Sequence, residues 1–102
     1  MNTLNYVGDN KCFSKVIRGS VTGNVVASDT TILVEHIDGN IGNSAVISVC
    51  QRIQLGDRLL AAVCVAYAYN SDTGKTDVSF YCTNESANAG VVHLNYTIAT
   101  SD

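Results

Sequence analysis

The sequence predicts a small all-β domain, an antiparallel β-sandwich of about seven strands with jelly-roll-like or Greek-key connections. Three observations carry this. Apolar residues come in short runs broken by Gly, Asn, Asp and Ser, the spacing of strands joined by tight turns. Val, Ile, Thr and Tyr are frequent and Pro is absent, which suits a pleated, half-buried surface. No segment holds a helical apolar period over three turns.

Residues 1–11 read as a polar arm and residues 12–102 as a single β-sandwich domain. A chain of 102 residues has room for one hydrophobic core and not for two. Strands are expected at Phe13–Thr22, Asn24–Ala27, Thr31–Ile37, Ala45–Ile53, Arg58–Tyr69, Thr76–Thr83 and Val91–Thr100. The breaks between them carry turn chemistry: Gly23-Asn24, Asp38-Gly39-Asn40, Gly42-Asn43, Gly56-Asp57 and Asp72-Thr73-Gly74. Such residues tolerate positive φ or close a turn through an Asx side chain.

Two of these turns predict which side chains share a face. Ser71-Asp72-Thr73-Gly74-Lys75 suits a three-residue hairpin loop with Gly74 in the left-handed position, which pairs Ser71 with Lys75. Phe80 then faces Ala66, Val78 faces Ala68 and Cys82 faces Cys64, large against small. If Gly56-Asp57 is a two-residue hairpin turn, Val49 pairs with Cys64 and Ile47 with Ala66, and one core face results. The alternative is that Gly56-Asp57 crosses from one sheet to the other, as connections in jelly rolls do. In the hairpin register the opposite face carries Val63, Val65, Tyr67, Tyr69 and Tyr81 beside Asp77. A strand apolar on both faces needs cover on both, here from another subunit or a ligand. A slip of one residue would invert the assignment and bury the tyrosines.

Composition narrows the function. A net charge of −3 with scattered basic residues offers no stripe to neutralise phosphates, so nucleic-acid binding is not expected. No apolar run has membrane-spanning length. The N-terminus lacks the basic start and apolar stretch of a secretory signal, so the sequence reads as cytoplasmic in origin or as trimmed.

Cys12, Cys50, Cys64 and Cys82 contain no Cys-x-x-Cys pair of the kind that seeds a tetrahedral zinc site. They allow two disulfides, with Cys64 and Cys82 opposed in the register above, or four buried thiols. His36 and His93 lie in no nucleophile motif and read as structural histidines, and Glu35 and His36 point to opposite faces of their strand. Asp38-Gly39-Asn40-Ile41-Gly42-Asn43 is rich in oxygen ligands but lacks the closing acid of a calcium loop. No catalytic set, metal or cofactor is therefore expected.

The closing segment Val91-Val92-His93-Leu94-Asn95-Tyr96-Thr97-Ile98-Ala99 follows a Thr83-Asn84-Glu85-Ser86 turn. Together with Leu55-Gly56-Asp57-Arg58-Leu59 and the Asn- and Gly-rich loops, it resembles the small β-sandwich receptor-binding heads and decoration proteins of bacteriophages. That resemblance implies a non-enzymatic virion protein made in the host cytoplasm. It also implies a homo-oligomer, trimeric by preference, that binds a capsid protein or a host-surface glycan or protein. It carries over no binding residue. The interface expected from the sequence is Tyr67, Tyr69, Tyr81, Val63, Val65 and Asp77. Two alternatives stand beside it. One is a carbohydrate-binding module in which tyrosines stack on sugar rings and Asp77 or Asn84 accepts hydroxyl hydrogen bonds. The other is a disulfide-stapled secreted domain of toxin or inhibitor type.

Overall fold

The computed structural model describes residues 14–100. The arm expected at residues 1–11, and Cys12 with it, lie outside the described residues. Six strands follow in order: β1 (Lys15–Val25), β2 (Asp29–Asp38), β3 (Val46–Arg52), β4 (Ala62–Asn70), β5 (Lys75–Asn84) and β6 (Gly90–Thr100). They form two antiparallel three-stranded sheets, β1-β6-β3 and β2-β5-β4. The sheets face each other as a sandwich. Four of the five connections pass from one sheet to the other, and only β4–β5 is a hairpin within a sheet.

The strand count is six rather than seven because Gly23-Asn24 is not a turn. Gly23 pairs with Val92 inside β1, and a Cβ there would come within 2.5 Å of the Leu33 side chain. The glycine admits Leu33 of the other sheet to the backbone of β1, a close approach that no larger residue permits. The turn glycines Gly39, Gly42, Gly56 and Gly74 do take positive φ, between 71° and 90°.

Strands β5 and β6 are central in their sheets and supply most of the core. Val78, Phe80 and Cys82 from β5 meet Val92, Leu94, Tyr96 and Ile98 from β6, all buried. The rings of Phe80 and Tyr96 stand 5.6 Å apart and tilted by 38°, a favourable aromatic arrangement. Fully burying one large apolar side chain contributes about 1.5–3 kcal/mol, so this pair of strands dominates the packing.

Buried polar groups at the ends of the sandwich are satisfied. Thr76 Oγ1 donates to the Gly39 carbonyl at 2.7 Å and accepts from the Ile41 N–H at 3.3 Å. Thr100 Oγ1 donates to the Ile41 carbonyl at 2.8 Å. Asn84 Nδ2 donates to the Val26 and Asn88 carbonyls, and its Oδ1 accepts from the Ser86 N–H. Each of these side chains ties a crossing loop to a central strand.

The hairpin register differs by one residue from the expected one. Asn70, not Ser71, pairs with Lys75. Asn70 Oδ1 accepts the Asp72 N–H at 2.9 Å, and the Asn70 carbonyl accepts the Gly74 N–H at 2.9 Å. This Asx cap makes Asn70 the gate of a longer loop. Because side chains alternate with period two, the slip turns over every residue of β4. Val63 therefore faces Cys82, Val65 faces Phe80 and Tyr67 faces Val78.

The pairing expected from Gly56-Asp57 is likewise absent. β3 pairs with β6, and β4 belongs to the other sheet. The segment between them is the crossing that the sequence left open as an alternative.

Candidate binding face

The outer face of sheet β2-β5-β4 is built by the side chains opposite the core. Across the three strands its rows run Thr30, Thr83, Ala62; Ile32, Tyr81, Cys64; Val34, Ser79, Ala66; and His36, Asp77, Ala68. Ile32, Val34 and Tyr81 are 52%, 43% and 38% exposed, which for three large apolar groups in adjoining rows is a contiguous patch and not scattered exposure. Small side chains on β4 leave the patch shallow on that side. Polar pairs close it at both ends. The Thr30 and Thr83 hydroxyls stand 3.2 Å apart at one end, and His36 Nδ1 donates to Asp77 Oδ1 at 2.7 Å at the other.

Of the interface residues expected from sequence, Tyr81 and Asp77 lie on this face. Val63, Val65 and Tyr67 do not, because the one-residue slip points them inward, where they lie partly buried against the core. Tyr67 Oη donates to the Gly42 carbonyl at 3.1 Å. Tyr69 shares their parity but sits at the strand end, 45% exposed. The three tyrosines thus form no single surface. Ile32 and Val34 take their place, and sequence reasoning missed them. The signal was the unbroken run Ile32-Leu33-Val34, apolar on both faces of β2 as the middle of β4 is on its own.

Of the two alternatives left open for the cysteines, the Cys64–Cys82 bridge is not formed. Cys64 pairs with Tyr81 and points outward, while Cys82 pairs with Val63 and points into the core. Cys50, Cys64 and Cys82 are free thiols, and burial pushes the Cys82 thiol upward in pKa. Asn84, a candidate acceptor for a sugar hydroxyl, spends its amide on the three backbone contacts described above.

Glu35 and His36 point apart, as adjacent strand residues must. Glu35 turns inward and accepts from Tyr96 Oη at 3.2 Å. Burial, with Glu35 beside it, raises the Tyr96 phenol above its ordinary pKa.

A second apolar feature is the crossing loop between β3 and β4. Leu55 at its tip is fully exposed, and Ile53 and Leu59 are open to solvent. The loop is nevertheless held. The Asp57 N–H donates to the Gln54 carbonyl at 3.0 Å, and Asp57 Oδ2 accepts the Gln54 N–H at 2.9 Å. His93 on β6 donates from Nδ1 to the same carboxylate oxygen at 2.9 Å, and both side chains are largely covered. The Gln54 N–H, then His93, hold the Asp57 carboxyl below its ordinary pKa. Gln51 acts as a strand partner, donating to the Arg58 carbonyl and accepting from the Leu60 N–H. The Asp57–His93 pair thus ties the loop to β6.

A shallow polar depression of about 400 Å³, lined by Ser28, Asp29, Thr30, Thr83, Asn84 and Glu85, adjoins the threonine end of the apolar face. Comparison of the chain with protein-family models, with curated proteins and with solved structures returned no match.

Proposed function

We propose that this chain is a non-enzymatic binding and assembly module that associates with copies of itself through the outer face of sheet β2-β5-β4. The observation that carries the reading is the adjoining exposure of Ile32, Val34 and Tyr81 between two polar ends. A sheet face with an apolar centre and polar rim has the anatomy of a protein interface. A virion structural, decoration or receptor-binding role is the setting that the sequence resemblance favours for such a module.

The test is solution mass by light scattering over a range of concentrations, for the native chain and for Val34→Glu. The reading expects the native chain to exceed 10.8 kDa and the variant, its circular dichroism unchanged, to have a lower mass than the native chain at the same concentration. A native chain that stays at the single-chain mass at every concentration overturns it.

A further inference from the structure

Each sheet has two edges, and an open edge presents a row of unpaired N–H and C=O groups ready to pair with another chain. Natural sheets guard such edges with charges, proline, bulges or shortness. Edge β1 carries Lys15 and Arg18, β2 carries Asp29, Glu35, His36 and Asp38, and the short β3 ends in Arg52. Edge β4 is Ala62-Val63-Cys64-Val65-Ala66-Tyr67-Ala68-Tyr69-Asn70. It has no charge, no proline and no glycine, and its register with β5 runs without a bulge. Among the described residues no strand pairs with its outer side.

The phase of the ladder shows which groups are open. The Gly39 N–H donates to the Gly74 carbonyl at 2.9 Å. Even-numbered residues of β5 therefore direct their backbone groups to β2 and odd-numbered ones to β4. The contacts Thr30–Thr83 and His36–Asp77 agree, since both fall at the non-hydrogen-bonded pairs where side chains approach most closely. On β4 the even-numbered residues meet β5. Val63, Val65, Tyr67 and Tyr69 are left with N–H and C=O on the open edge.

We propose that β4 pairs antiparallel with β4 of a second copy about a two-fold axis at Ala66, joining two β2-β5-β4 sheets into one sheet of six strands. The proposal rests on the reading that the chain self-associates, and it names the contact that begins the assembly. An axis at Ala66 pairs the whole strand, Ala62 with Asn70. It sets odd residues opposite odd residues, which gives roughly eight interchain hydrogen bonds. Val65 then faces Tyr67 and Val63 faces Tyr69, β-branched against aromatic, a favourable cross-strand pair. On the outer side Cys64 faces Ala68. No charge meets its like, whereas self-pairing of β2 would gather Asp29, Glu35 and Asp38 of both copies along one seam.

The joined sheet also resolves a question of area. Three strands of this length present a face of about 480 Å², from strand spacing and rise. That is below the roughly 800 Å² per partner of a standard interface. Six strands present about 960 Å², with Ile32, Val34 and Tyr81 of both copies on one surface. A two-fold contact produces even-numbered assemblies, in contrast to the trimer expected from the resemblance.

The test is disulfide trapping in the full chain. Ala66→Cys is made in a background with Cys12, Cys50 and Cys64 changed to Ser, and Ala68→Cys in the same background is the control. At the axis the two Ala66 residues form a non-hydrogen-bonded pair with a Cα separation near 4.5 Å, inside the disulfide range. Mild oxidation is expected to convert most of the Ala66→Cys protein to a covalent dimer and little of the Ala68→Cys protein, whose sulfurs lie several residues apart across the seam. Ala66→Arg, placing two cations at the axis, is expected to lower the solution mass of folded protein to that of one chain. A native chain that associates but shows no preference for cross-linking at position 66, or that forms trimers, overturns the β4 contact and leaves self-association standing. A native chain that is monomeric at every concentration overturns both.

Discussion

Gly19→Ala is a test of how the core ring of Tyr96 is seated on β1. Gly19 lies opposite Tyr96 in the β1–β6 ladder, and the tyrosine ring lies across its Cα. A Cβ at position 19 would overlap Tyr96 Oη, lie 2.5 Å from Cζ and lie 3.0 Å from Cε2. The ring cannot simply withdraw, because Phe80 is packed on it and its hydroxyl donates to Glu35 at 3.2 Å. Forcing a methyl group into such a site costs about 1–3 kcal/mol, and disturbing the bond to a carboxylate adds up to ~1.5 kcal/mol at this half-buried position. Removing a strand glycine offsets ~0.5–1 kcal/mol of that. The net loss is therefore about 2 kcal/mol, or a fall in Tm of roughly 8–16 °C for a domain of this size. Urea unfolding followed by tyrosine fluorescence, in a cycle with Tyr96→Leu, measures it. With the ring gone, Gly19→Ala should be neutral or slightly stabilising, giving a coupling of about 2 kcal/mol. An equal cost in both backgrounds would refute the argument that the ring occupies the space above Gly19.

Phe80→Ala should cost about 3–5 kcal/mol by urea denaturation, a large share of the ~5–15 kcal/mol that a whole domain commands. Thiol titration with a disulfide reagent should find Cys50 and Cys64 reactive in the native chain and Cys82 only after denaturant is added; native reactivity of Cys82 would contradict its place in the core. Acid should loosen the crossing loop. Because Asp57 has a lower pKa folded than unfolded, its ionised form stabilises the native state fully above pH ~4, and this is lost as pH falls through the folded value. Urea midpoints for the native chain and Asp57→Asn should thus differ at pH 6 and converge near pH 2; a constant difference would contradict the Asp57–His93 tie.

The all-β class was legible because it rests on local chemistry. Short apolar runs and the glycine turns at 39, 42, 56 and 74 act within a few residues, and all four glycines adopt the left-handed backbone that such turns use. What was not legible depends on partners distant in sequence. Gly23 has the composition of a turn, and only Leu33 of the opposite sheet shows why it is a strand residue. Asn70 and Ser71 are both credible hairpin gates. The choice rests on one Asx cap, yet it decides whether Val63, Val65 and Tyr67 face the core or solvent. With apolar residues on both faces of β4, no local pattern separates the two outcomes.

The same ambiguity concealed the candidate face. Tyr81 and Asp77 were identified on β5, where alternation is clear, but their neighbours Ile32 and Val34 come from β2. That strand is nearly 50 residues away in sequence and is joined to β5 only by the ladder. The Asp57–His93 pair is hidden for a related reason, since it depends on the pairing of β3 with β6, strands far apart in sequence.

The most direct test of the account is the solution mass of the native chain by light scattering across a wide concentration range. The account predicts a mass rising to an even multiple of 10.8 kDa. A mass fixed at the single-chain value throughout would contradict the claim that the apolar face and the open β4 edge exist to join one copy to another.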